Sequence, residues 1–141
     1  MVGGIMAGSV RQELVEYGRR CRVIKLHCVG DSVNGSIPDT SVLDRLKYRV
    51  AGWSLDSVKV YPGATGPTAD SDLEVEDDDG LDMLGAEGTD LIKNSDPSVT
   101  VPSRDSVRGP VPITGGMTIK VTNQSVASAL YRIDLVCIDY A

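Results

Sequence analysis

The chain has 141 residues and a formal net charge of −6. That length suits a single domain, which buries roughly 68–70% of the surface its unfolded form exposes and can hold a core without staples. The acidic balance argues against direct binding to nucleic acid or to an anionic membrane. Both need a basic stripe, and the nearest cluster is only Arg19, Arg20, Arg22 and Lys25. No apolar run approaches the ~20 residues that span a bilayer. The chain contains no Phe and a single Trp, so its core must come from Val, Ile, Leu and a few Tyr. Val and Ile are stiff at χ1 and fit a pleated surface. Fifteen Gly and seven Pro supply many turns. Together these features predict an all-β chain of short strands.

In chain order, Met1–Gly8 lacks the basic start and long apolar stretch of a signal peptide and is expected to be a flexible leader. Residues 1–20 are read as an N-terminal arm and residues 21–141 as one domain. Val10, Leu14 and Tyr17 have helical spacing, but a strand fits Ser9–Tyr17 equally well, and Gly18 ends either one. Arg22–Val29 alternates as a strand with Ile24, Leu26 and Cys28 on one face. Asn34-Gly35 is a turn signal. Leu43–Tyr48 is a helical turn or the run-in to a strand. Val50–Tyr61 is the longest expected strand, and its apolar face slips by one residue at Asp56-Ser57, as a bulge or a change of sheet produces.

Leu73–Glu76 alternates, Asp77–Gly80 reads as a hairpin turn, and Leu81–Leu84 is the expected return strand. The polar stretch 85–110 is a long loop with short strands at Leu91-Ile92 and Val99–Val101. Met117–Thr122 and Leu130–Tyr140 alternate cleanly. Seven or eight strands at this spacing predict a β-sandwich, jelly-roll-like or immunoglobulin-like.

Few residues suggest chemistry. Asp77, Asp79 and Asp82 in the acidic cluster are a weak calcium candidate, because hard cations want several oxygens. The glycine offset is wrong for a calcium loop and no glutamate closes one; a solvated turn is the plainer reading. His27, the single histidine, points away from Cys28, so the two do not converge on a metal. No G-x-S-x-G elbow or phosphate loop is present. The odd cysteine count (Cys21, Cys28, Cys137) predicts free thiols, with Cys28 and Cys137 as small buried hydrophobes. Trp53 is a core residue or a sugar-stacking platform. These features predict neither an enzyme nor a cofactor.

The last strand has a second face that begins polar and ends apolar at Val136, Ile138 and Tyr140. That end needs cover from another strand or another subunit. These three residues, with Leu91, Ile92, Val99 and Val101 of the long stretch, are the candidate interface. The leader and stretch 85–110 are the candidate arms that order on assembly.

Several segments carry a resemblance. They are Arg22–Cys28 followed by Gly35-Ser36-Ile37-Pro38-Asp39; Ala51-Gly52-Trp53 leading to Val58–Thr68; Asp70–Leu73; Asp77–Gly85; and Ile113–Ile119 with Thr122–Val126. Taken in order, from about Arg22 to the end, the chain resembles a family of small virion structural proteins of tailed bacteriophages. The acidity around Glu74–Asp79 and the Pro-rich 97–110 stretch depart from that pattern. The resemblance implies a non-enzymatic part of a virion: capsid decoration, head-to-tail or tail component. Its partners would be other virion proteins and copies of itself. A receptor- or glycan-binding module at a tail tip is the alternative. The family carries no catalytic residues onto this chain.

Overall fold

The computed structural model describes residues 6–141; the first five residues of the expected leader lie outside the described residues. Among the described residues the chain is all-β apart from one short helix. Strand β1 (Ser9–Glu16) and strand β2 (Cys21–Val29) form a hairpin, with Gly18 at φ 78° in its turn. The register sets Val10 opposite Cys28 and Leu14 opposite Ile24, so period two governs Ser9–Glu16 and the helical spacing is incidental.

After β3 (Thr40–Ser41), helix α1 (Asp44–Val50) buries Leu46 and Val50. Strand β4 therefore starts at Ser54, not Val50, and runs to Pro62. Strands β5 (Asp72–Glu76), β6 (Ser98–Thr100), β7 (Ser103–Arg104), β8 (Val107–Arg108), β9 (Val111–Pro112), β10 (Thr118–Thr122) and β11 (Leu130–Ile138) follow.

The larger sheet runs β1-β2-β11-β4-β6, with β9 also on β4; the smaller runs β3-β10-β5. Consecutive strands from β2 to β6 lie alternately in the large and small sheets, as do β10 and β11. That alternation is the path of a jelly roll and sets aside the immunoglobulin-like alternative. One apolar core lies between the sheets. Ile24, Leu26, Leu55, Val58, Ile133 and Leu135 face Leu73, Val75 and Ile119, and all are buried. The slip expected in β4 is present. Val136 pairs with Ser57 and Cys137 with Leu55, leaving Asp56 as the extra residue.

Two expectations for the middle of the chain are corrected. Leu81–Leu84 returns antiparallel to β5 only through the single bridge Glu76–Asp82 and does not extend into a strand. Asp77 N–H donates to Leu81 O (2.9 Å) and Gly80, at φ 81°, closes the turn. The carboxylate of Asp82 then accepts the N–H groups of Val75, Leu84 and Ala86, which bends the chain inward and buries Met83 and Leu84. Nor is stretch 85–110 an unpacked arm. Ile92 bridges to Ser71, β6 pairs with β4, and Gly88 crosses the β5 backbone so closely that a Cβ there would lie 1.9 Å from Leu73 O. Strands β7 and β8 form a two-residue hairpin with Asp105 and Ser106 both at positive φ, the type I′ geometry.

Candidate functional site: the outer face of the large sheet

Side chains alternate across a strand, so the core-facing positions fix what lies outside. On the large sheet the outer face carries Arg11 and Glu13 from β1, Val23, Lys25 and His27 from β2, and Arg132, Asp134, Val136 and Ile138 from β11. Lys59 and Tyr61 from β4 complete it. Register brings them into rows. Asp134 of β11 lies opposite Lys25 on one side and Lys59 on the other, and Arg132 lies between His27 and Tyr61.

The rows are tied by charge. Arg132 makes a two-point contact with Asp134 (Nε–Oδ1 2.8 Å, a second N–O 3.2 Å) while its guanidinium stacks 4.4 Å from the Tyr61 ring centre. Asp134 is buried although it faces outward, because these long side chains lie over it. His27 Nε2 contacts Glu13 Oε1 at 2.7 Å, and this hydrogen bond holds the Glu13 carboxyl below its usual range. Lys25 sits over Tyr17, 5.8 Å from its ring centre.

The result is an open, corrugated surface. A depression of about 310 Å³ is floored by Val23 and Val136 and walled by Tyr17 and Tyr61; a second, beside it, lies between Lys59, Tyr61 and Val99. Among the described residues the better enclosed cavity, between the acidic turn and the β7–β8 hairpin, holds only about 180 Å³. That is smaller than the ~300 Å³ at the low end of small-molecule sites.

The two outer faces of the sandwich differ in charge. The large sheet presents Arg11, Lys25, Lys59 and Arg132 against Glu13 and Asp134. The small sheet presents Asp72, Glu74 and Glu76, with Lys120 held between Glu76 (3.0 Å) and Asp39 (4.0 Å). Burial and the neighbouring Asp82 and Glu76 push the Glu74 carboxyl upward.

Each residue singled out from sequence now has a place. Val136 and Ile138 are half-buried on the outer face, and Tyr140 is exposed with its hydroxyl donating to Asp56. Val99 is 60% exposed at the β6 edge and Val101 is half-buried. Leu91 and Ile92 are corrected: this chain's own core buries both side chains.

Asp77, Asp79 and Asp82 do not converge. Asp77 accepts the N–H groups of Asp79 and Leu81 and Asp82 accepts three others, so both carboxylates lock their own turns. Among the described residues no three His, Cys, Asp or Glu side chains are arranged to hold a metal ion. Trp53 is no open stacking platform, because Arg22 covers its ring at 4.5 Å. Cys28 and Cys137 are buried and their thiols are pushed up to about 12 by desolvation. What sequence reading missed is the face itself. Its pairs join residues far apart in the chain, and register alone brings them together.

No family model matches the chain, and no curated protein matches it. A solved cupin domain from Bordetella pertussis Tohama I is similar at 14% identity, covering 94% of this chain and 98% of that one, with a TM-score of 0.30. An overlap that slight carries no argument about chemistry.

Proposed function

We propose that this chain is a non-enzymatic structural protein of a tailed-bacteriophage virion. It would act as a capsid decoration, head-to-tail or tail component by symmetric association with neighbouring chains. The observation that carries the reading is the outer face of the large sheet: basic and aromatic on an acidic chain, open, and opposed to an acidic face across the same sandwich. Oppositely charged faces favour association in a fixed orientation and select partners by charge. The ordered resemblance from Arg22 onward points to virion proteins, and the shallow relief of the face suits a protein neighbour better than a small substrate. Mass spectrometry of gradient-purified particles tests the reading. The chain is expected at a fixed stoichiometry to the major capsid or tail proteins; its absence from infectious particles would overturn it.

A further inference from the structure

Among the described residues, one long sheet edge is left without a partner. The outer edge of β5 is covered by the 82–92 segment, where Met83 N–H donates to Val75 O and Leu73 N–H to Gly88 O. The opposite edge of the large sheet, β6, is three residues long. Strand β1 is eight residues long and, among the described residues, pairs only with β2. Its exposed polarity follows from the hairpin. Tyr17 N–H donates to Cys21 O (2.8 Å), so the odd residues of β1 bond to β2. The even residues Val10, Gln12 and Leu14 therefore aim their N–H and C=O groups outward, and none of these groups has a partner among the described residues.

Such an edge is a template for another strand unless its side chains forbid it. The side chains of β1 instead disfavour two of its central registers and match a third. In antiparallel pairing with a second copy, a two-fold axis at Arg11 sets Arg11 on Arg11, and one at Glu13 sets Glu13 on Glu13. Both registers are repulsive. An axis at Gln12 sets Arg11 opposite the second copy's Glu13 on both sides, with Val10 opposite Leu14 on the core side. In this register the even residues form the hydrogen-bonded pairs, as their outward groups require. Arg11 and Glu13 form the close, non-bonded pairs, where side chains approach best. Arg11 is exposed, and Glu13 is held in place by His27.

We propose that two copies of this chain pair through β1 about a two-fold axis at Gln12, joining their large sheets into one continuous sheet. The pairing supplies the self-contact of the assembly proposed above and rests on that reading only for its biological setting. A contact confined to strand edges is small, so it will depend on concentration. Sedimentation velocity of the full chain across a hundred-fold concentration range is expected to show a monomer–dimer shift. Arg11→Glu sets like charges together and should weaken dimerisation at least ten-fold. Arg11→Glu with Glu13→Arg restores the match and should recover most of it. A chain that stays monomeric throughout, or an Arg11→Glu variant that dimerises unchanged, would overturn the pairing.

Register is read independently by mixing an Arg11→Cys chain with a Glu13→Cys chain, both in a Cys21→Ser background, under mild oxidation. A dominant 11–13 cross-link is expected; dominant 11–11 or 13–13 links would overturn the Gln12 axis. A monomeric chain that is nevertheless found in particles removes the edge pairing alone. A dimer missing from particles removes the virion reading alone.

Discussion

At the scale of single residues, the buried Gln124 side chain makes four hydrogen bonds to backbone groups. It is buried where three loops meet. Its Oε1 accepts from Thr68 N–H (3.0 Å) and Val126 N–H (2.8 Å), and its Nε2 donates to the carbonyls of Gly35 and Val126. Truncation strands several of these groups away from water, at a cost of about 3 kcal/mol. Gln124→Ala is therefore expected to lower the midpoint of urea unfolding sharply with little change in slope. A neutral result would mean the loops hold together without it.

The thiols make a second residue-scale test. Thiolate, not thiol, is the reactive form, and burial holds Cys28 and Cys137 far above neutrality while raising half-buried Cys21 less. At pH 7.5 an alkylating reagent should modify Cys21 at most, and slowly, until denaturant exposes the other two. Rapid native labelling of Cys137 would contradict the packing of β11.

The elements divide into those legible in the sequence and those that were not. Strands β2, β10 and β11 announce themselves because one face of each is core and the other carries polar residues, which writes period two into the residues. The bulge at Asp56 was legible for the same reason, since the apolar face changes parity there. Helix α1 was not separable from the start of β4. Val50 is apolar and β-branched, and only the packing of Leu46 and Val50 under the sheet decides the matter. The β7–β8 hairpin was hidden because its turn has Asp105-Ser106 where a type I′ turn favours Asn-Gly. Residues with side chains are strained there by about 1–2 kcal/mol each. Replacing the pair by Asn-Gly should raise stability by about 1 kcal/mol in thermal unfolding; a loss would mean the turn is not of this type.

The loop after β2 gives an element-scale pH test. Asp31 Oδ1 accepts Val33 N–H (2.7 Å) and Asn34 N–H (3.0 Å), and these bonds hold its carboxyl below the usual range. A carboxyl depressed in the folded state adds stability that is present above its unfolded value of about 3.9. That stability is lost as pH falls through the lower folded value. Asp31→Ala should thus flatten the acid limb of the stability curve below about pH 4 while the neutral plateau drops; an unchanged acid limb would remove Asp31 from the account.

At the scale of the whole molecule, the sandwich was legible but its outward chemistry was only half so. The apolar end of β11 pointed to a covered face, and the structure locates that face beside Val23 and Tyr17. The charge rows through Arg132, Asp134, Lys25 and Lys59 arise from strand order. Strand order depends on which strands meet across the core, and no local pattern encodes it. The opposite misreading, Leu91 and Ile92 as interface residues, has the same root. An apolar pair inside a polar stretch looks the same whether a subunit or the chain's own core covers it.

A neighbouring chain covering the outer face of the large sheet, as proposed above, is visible in a subnanometre reconstruction of purified particles. Sandwich-shaped density is expected at symmetry-related positions, with the large sheet turned toward a neighbouring chain and the acidic small sheet toward solvent. Density in which the Arg132–Tyr61 face lies open to solvent, with the chain held by the small sheet instead, would contradict it.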